Sequence, residues 1–178
     1  IPITRVVNVE DNIKPVITLL GNTTVTVEVG TNFTDPGVVA SDNYDNDSSL
    51  TGSISVSGSV DTTELGTYLI TYTVSDSSGN SADPVDRTVQ VVDTTAPIIS
   101  LNGNSSINHT YQTAFVDPGA TASDNYDTNL SSLIVVSGSV NENTLGNYNL
   151  LYDLDDSSGN TAASVTRQVI VLDDLPPI

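Results

Sequence analysis

Aspartates in short turns are the residues of this sequence best placed to do chemistry. Eighteen of its 22 acidic residues are Asp, and many share turns with Asn, Ser and Gly, as in Ala40-Ser41-Asp42-Asn43-Tyr44-Asp45 and Asp76-Ser77-Ser78-Gly79-Asn80. Carboxylates in such company suit a hard cation, because calcium takes six to eight oxygens from carboxylates, backbone carbonyls and amide side chains. Asn43, Asn80, Asn125 and Asn160 stand beside these acids. The competing use of the same residues is local, since Asp and Asn also make Asx turns and remain solvated. Catalysis has less to work with. His109 is the sole histidine, Cys is absent, and no Ser lies in a nucleophile-elbow or lysine-activated context. Paired carboxylates serve glycoside hydrolysis, but these recur along the chain in short turns without an aromatic-lined cleft. The chain is therefore expected not to be an enzyme.

The acids are positioned by an internal repeat. Gly103-Asn104 repeats Gly21-Asn22, Asp117-Pro118-Gly119 repeats Asp35-Pro36-Gly37, and Ala122 to Asp127 repeats Ala40 to Asp45, all 82 positions apart. After a two-residue deletion the spacing is 80, and it holds for Ser137-Gly138-Ser139-Val140 against Ser57-Gly58-Ser59-Val60 and for Asp156 to Asn160 against Asp76 to Asn80. His109 falls opposite Val27, which marks it as incidental. One unit is expected at 13–94 and the next at 95–174. Arg5 to Pro15 matches Arg87 to Pro97, so 1–12 reads as the last strand of a preceding repeat. By the same matching, 175–178 reads as the start of a following one.

Within a unit, Tyr68, Ile70, Tyr72 and Val74 alternate with polar neighbours, the period-two pattern of a half-buried strand. Tyr148, Leu150, Tyr152 and Leu154 do the same. Further strands are predicted at Val16–Leu20, Thr24–Val29, Val38–Ser41, Ser53–Val60 and Val85–Val92, separated by turn residues. Thr, Val and Ile dominate these stretches, which favours an all-β class. Units of about 80 residues bury only about 60% of their unfolded surface, and no disulfide can reinforce them. Arg5, Arg87 and Arg167 recur at the start of the last strand, in phase with inward valines. They are expected to make an ion pair or hydrogen bond at the rim.

At Glu64-Leu65-Gly66-Thr67-Tyr68 and Thr144-Leu145-Gly146-Asn147-Tyr148 the chain resembles the tyrosine corner that opens strand F of immunoglobulin-like domains. Ile70 and Leu150 stand two residues later, where an antibody domain has its second Cys. With the Asp93-Thr94-Thr95-Ala96-Pro97 linker and the Asp-Ser-Ser-Gly-Asn turns, both units resemble bacterial immunoglobulin-like repeats of the hyalin-repeat type. The resemblance implies two tandem immunoglobulin-like antiparallel β-sandwiches, extracellular or at the cell surface, with spacing and adhesion as the usual roles.

That topology gathers the acids. With strands A and B antiparallel, the BC and FG loops return to the pole at which the chain enters the domain. In the second unit this brings Asp93 near Asp124, Asp127 and Asp156. In the first it brings Asp11 near Asp42, Asp45, Asp47 and Asp76. Like-charge pairs at about 4 Å cost roughly 1–4 kcal/mol each, so the convergence calls for a cation, and calcium is expected. Cadherins resemble this arrangement at their junctions.

The net charge of −18 repels nucleic acid and anionic membranes, and no apolar run reaches the length of a membrane span. Neighbouring immunoglobulin-like repeats of the same polypeptide are the expected partners. The leading reading is a structural spacer or stalk segment. The competing readings are a ligand-binding adhesin module and a subunit of a surface filament assembled by strand addition, to which Ile3–Val9 would contribute.

Overall fold

The alternating stretch around Tyr68 forms an eight-residue strand in the computed structural model, which describes residues 2–174. The expected start of a following repeat at 175–178 lies outside the described residues. The chain divides into two units, Ile1–Val92 and Asp93–Ile178.

In the first unit the strands are β1 Val16–Leu19, β2 Thr24–Glu28, β3 Val38–Ser41, β4 Ser55–Ser57, β5 Gly66–Thr73 and β6 Val85–Val92, with a helix α1 at Asp47–Gly52. The second unit repeats them as β7 Ile98–Leu101, β8 Ser106–Thr110, β9 Ala120–Ser123, β10 Val135–Ser137, β11 Gly146–Asp153 and β12 Val165–Leu172. There a 3-10 turn at Leu130–Leu133 replaces the helix. Each unit packs a two-stranded sheet, β1-β3 or β7-β9, with a four-stranded one, β2-β6-β5-β4 or β8-β12-β11-β10. Pairing is antiparallel except for β2 with β6 and β8 with β12, which run parallel. The parallel pair arises because the chain changes sheets at the turn after β1, where Gly21 adopts φ +78°.

Two local features depart from the expected strands. The stretch predicted as Ser53–Val60 is a strand only at β4, because Gly58 turns away with φ +97°. A side chain at Gly58 would collide with the carbonyl oxygen of Leu69, and Gly138 repeats this against Asn149. The acidic loop before β4 holds α1. Asn46 caps this helix by accepting from the N–H groups of Ser48 and Ser49 at 3.0 and 3.2 Å. The helix is short, and its one buried residue, Leu50, is matched by Leu130 in the 3-10 turn. Burying such a leucine contributes about 1.5–3 kcal/mol. The Thr51 hydroxyl accepts from Ala40 N–H at 3.0 Å and that of Ser131 from Ala122 N–H at 2.9 Å, pairing an edge group of β3 or β9.

Each sandwich is filled by alternate residues of its strands, chiefly Ile17, Val27, Ile70, Tyr72, Val74 and Val89 in the first and Ile99, Leu150, Tyr152, Leu154 and Val169 in the second. The tyrosine corners form: the Tyr68 hydroxyl donates to Glu64 O at 3.0 Å and that of Tyr148 to Thr144 O at 2.8 Å.

The arginines do not sit at the rim. Arg87 and Arg167 are fully buried. Arg87 Nε lies 2.9 Å from Asp35 Oδ1, while Nη2 donates to the carbonyls of Leu20 at 2.8 Å and Gly37 at 3.0 Å. Arg167 pairs with Asp117 and donates from Nη2 to the carbonyls of Asn102 at 2.7 Å and Gly119 at 3.2 Å. Tyr72 and Tyr152 close the triads by donating to the same aspartates, at 2.6 Å for Tyr72 and 2.7 Å for Tyr152. The inward phase of the strand is obeyed, and the charge is tolerated because carbonyls and carboxylate occupy its donors.

Burial pushes the Tyr152 hydroxyl up to about 12, with the Asp117 carboxylate adding to the effect. Burial alone would also raise Asp117, but the Tyr152 hydroxyl, Gly119 N–H and Arg167 outweigh it and hold the carboxyl below its ordinary value. The depressed folded value means that this contribution is present above the unfolded pKa and is lost as pH falls through the folded one. We expect Asp117→Asn to destabilise the second unit by about 3–5 kcal/mol at neutral pH, since it leaves a buried guanidinium unpaired. The difference from the parent should shrink as the pH falls below the ordinary carboxylate range. Urea unfolding across pH measures both.

Candidate metal centres

The loop after β3, the loop between β5 and β6 and the segment before β1 meet at one pole of the first unit. Asp11, Asp42, Asp45 and Asp76 converge there, each offering an oxygen within 4.8 Å of the others. Asp93, Asp124, Asp127 and Asp156 form the same group in the second unit, under the same 4.8 Å limit. Oxygens on one calcium lie about 2.3–2.6 Å from it and so at most about 5 Å apart, which both groups satisfy. Asp47 is not among the four. It heads α1, and its Oδ1 accepts from Asp42 N–H at 3.3 Å.

The loops hold their shape with one oxygen of certain carboxylates. Asp42 Oδ2 accepts from the N–H groups of Tyr44 and Asp45 at 2.8 and 3.2 Å, and Asp124 Oδ2 from those of Tyr126 and Asp127 at 3.0 and 3.1 Å. Asp11 Oδ1 accepts from Ile13 N–H and Asp93 Oδ1 from Thr95 N–H, at 3.1 and 3.2 Å. These are Asx-type turns. The second oxygens of the same four residues, Asp11 Oδ2, Asp42 Oδ1, Asp93 Oδ2 and Asp124 Oδ1, are buried without a hydrogen-bond partner. Buried polar atoms are otherwise almost always paired, so four orphans at equivalent places in two units ask for a ligand.

The remaining two aspartates of each group tie the loops together. Asp45 Oδ2 accepts from Ser77 N–H and hydroxyl at 3.2 and 3.0 Å, and Asp127 does the same for Ser157. Asp76 is clasped by Asn80, whose N–H reaches Oδ1 and whose Nδ2 reaches Oδ2, both at 2.7 Å. The same Nδ2 donates to the carbonyl of Asp11 at 3.1 Å, and Asn160 repeats the clasp between Asp156 and the carbonyl of Asp93. Asn80 and Asn160 thus act as donors that fix the pole. The bracing serines went unassigned in the sequence, although their recurrence beside Asp76 and Asp156 was the available signal.

Electrostatics set Asp93 apart from Asp156 in the second group. Burial raises the Asp93 carboxyl above its ordinary value; Thr95 N–H and the Ser158 hydroxyl oppose this, while Asp124 and Asp156 add to it. Burial also acts upward on Asp76 and Asp156, but the amide and N–H groups of Asn80 and Asn160 outweigh it and hold both below the ordinary value. His109 stays outside either group, with its Nε2 2.9 Å from Thr113 O and its ring edge-on to Phe115. Among the described residues no helix is long and apolar enough to cross a membrane.

Residues 17–91 and 99–171 each match the family described as bacterial surface protein, Ig-like domain. The chain belongs to that family. Its two units are tandem bacterial immunoglobulin-like repeats, a kind of surface-protein module with structural or binding roles. A similar protein is an uncharacterized 81.3 kDa protein of Acholeplasma phage L2, 32% identical over 149 residues. The match takes in 80% of this chain and 20% of that protein, so the chain spans about a fifth of its relative. Among solved structures, a lipoprotein of Bacteroides thetaiotaomicron is 30% identical with a TM-score of 0.40, covering 46% of this chain and 40% of its own. A Clostridium perfringens chain holding an M60 catalytic domain with two CBM51 domains is 14% identical with a TM-score of 0.46, covering 91% of this chain and 32% of its own.

The opposed directions at one pole have a measurable consequence. A carboxyl raised on folding carries a stability penalty that is full above its folded pKa and absent below its unfolded one; a lowered carboxyl does the reverse. At neutral pH in chelator, Asp93→Asn should therefore leave stability equal or higher. Asp156→Asn should lower it by about 1.5–3 kcal/mol through its lost charge-assisted bonds. Chemical denaturation of both variants tests the contrast.

Proposed function

We propose that the chain is a non-catalytic spacer segment of an extracellular repeat protein, stiffened by calcium at the pole where the polypeptide enters each repeat. The observation that carries this reading is the set of orphaned buried oxygens, one on the incoming segment and one on the loop after the third strand, repeated in both units. Hard oxygen donors with no nitrogen or sulfur ligand in either group favour calcium over transition metals. Asp11, Asp42, Asp45 and Asp76 would hold one ion, and Asp93, Asp124, Asp127 and Asp156 another.

The mechanical consequence follows from chain connectivity. Asp93 directly follows Val92, the last residue of β6, and only Thr94, Thr95 and Ala96 separate it from Pro97. Interfaces between domains of one chain are usually small, so a short linker leaves them free to swing. An ion that immobilises Asp93 against the loops of the second unit shortens the free segment and limits that swing. Binding to the folded state alone also adds RT ln(1 + [Ca]/Kd), about 2.7 kcal/mol at a hundredfold excess over Kd.

Thermal unfolding and small-angle scattering with calcium and with chelator test the proposal. Calcium should raise the unfolding midpoint by several degrees and narrow the distribution of maximum dimensions. Asp93→Ala with Asp124→Ala should abolish both effects for the second unit. Unchanged midpoint and dimensions on chelation would leave the aspartates as turn residues alone.

A further inference from the structure

The segment Ile3–Val9 carries half of an interface that the two described units do not complete. Aligned with β6, it places Arg5, Val7 and Val9 opposite Arg87, Val89 and Val91, identical at each position, and Ile3 opposite Val85. Those are the positions that β6 turns inward, where Arg87, Val89 and Val91 are 0%, 0% and 3% exposed. The outward positions differ instead: Thr4, Val6 and Asn8 stand opposite Asp86, Thr88 and Gln90. Identity confined to the inward face is the mark of a strand built to fill the same groove. Yet Val7 and Val9 are 73% and 93% exposed, and the segment forms no strand. Both units already hold a last strand of their own in β6 and β12.

We propose that Ile3–Val9 docks as the last strand of an immunoglobulin-like sandwich of this family other than these two units. The acceptor is defined by what surrounds β6 and β12. It offers a parallel neighbour equivalent to β2 on one side and an antiparallel neighbour equivalent to β5 on the other. It also presents the carboxylate of an Asp-Pro-Gly turn and a tyrosine hydroxyl to receive Arg5, as Asp35 and Tyr72 receive Arg87. Strand addition supplies main-chain bonds, and the buried arginine supplies register, because a one-residue slip would turn it out to solvent. No cation is involved, so this inference stands or falls separately from calcium binding.

The experiment supplies an acceptor to the full chain. In one arm a second copy of residues 13–84, which lacks a last strand, is fused so that its Pro84 runs directly into Ile3. In the other arm the same fragment is co-expressed as a separate polypeptide. Both are examined by amide hydrogen exchange in chelator. Protection of residues 4–9 matching that of 86–91, with an added unfolding transition, is the expected result. The first arm reports docking within one polypeptide and the second docking between chains. Arg5→Ala should remove the protection in whichever arm shows it. Free exchange of residues 4–9 in both arms, or protection that survives Arg5→Ala, would overturn the proposal.

Discussion

The fold of each unit depends on one buried guanidinium. Arg87 and Arg167 occupy the place in the last strand where a valine would satisfy the pattern, and each reaches backbone carbonyls at the end of a two-stranded ladder. The carbonyls of Leu20 and Gly37, or of Asn102 and Gly119, belong to the end of the first strand and the approach to the third. A hydrocarbon there would take one donor from each of those carbonyls and the counter-charge from the turn aspartate, in a small sandwich that has no cysteine to clamp it. The arginine therefore does two jobs at once: it neutralises the Asp-Pro-Gly carboxylate and knits together loops from both sheets. Its cost is rigidity of design, since no other side chain supplies five donors in a planar fork.

At the opposite end of the electrostatic scale, the pole gathers negative charge and keeps one buried oxygen on each of two aspartates out of the bonds that fold it. In Asp42 and Asp124, as in Asp11 and Asp93, one oxygen holds a turn and the other is orphaned. Local and long-range roles are thus divided between the two atoms of a single side chain. Asn80 and Asn160 make this possible, because each grips the aspartate between the fifth and sixth strands and the incoming backbone together. The pole is preorganised by bonds that do not use the orphaned atoms.

Much of this was legible in the residues because the chain states it twice. Alternation around Tyr68 and Tyr148 marked the central strands, and recurrence of the acids at fixed spacing marked the pole. Asp47 was grouped with them because its loop returns to the pole, but it heads α1 and its Oδ1 accepts from Asp42 N–H instead. That helix was hidden because only Leu50 faces inward, too few residues for a helical period to show. The parallel pairs were hidden for a different reason: alternation reports which face a strand buries, not which neighbour it pairs with. The arginines were placed in phase correctly and in depth wrongly, since their burial depends on acceptors far away in sequence.

The parallel pairing of β2 with β6 also bears on how a repeat responds to tension. Thr24–Glu28 lies beside Thr88–Val92 in a five-residue ladder, one strand near the beginning of the unit and the other at its end. Pulling on the two ends draws these strands past each other lengthwise, so every bond of the ladder shares the load together. A hairpin pulled open at its mouth would instead unzip bond by bond. Resistance to pulling is a matter of unfolding rate rather than of equilibrium stability. A modest sandwich can therefore hold under traction well beyond what its small core implies.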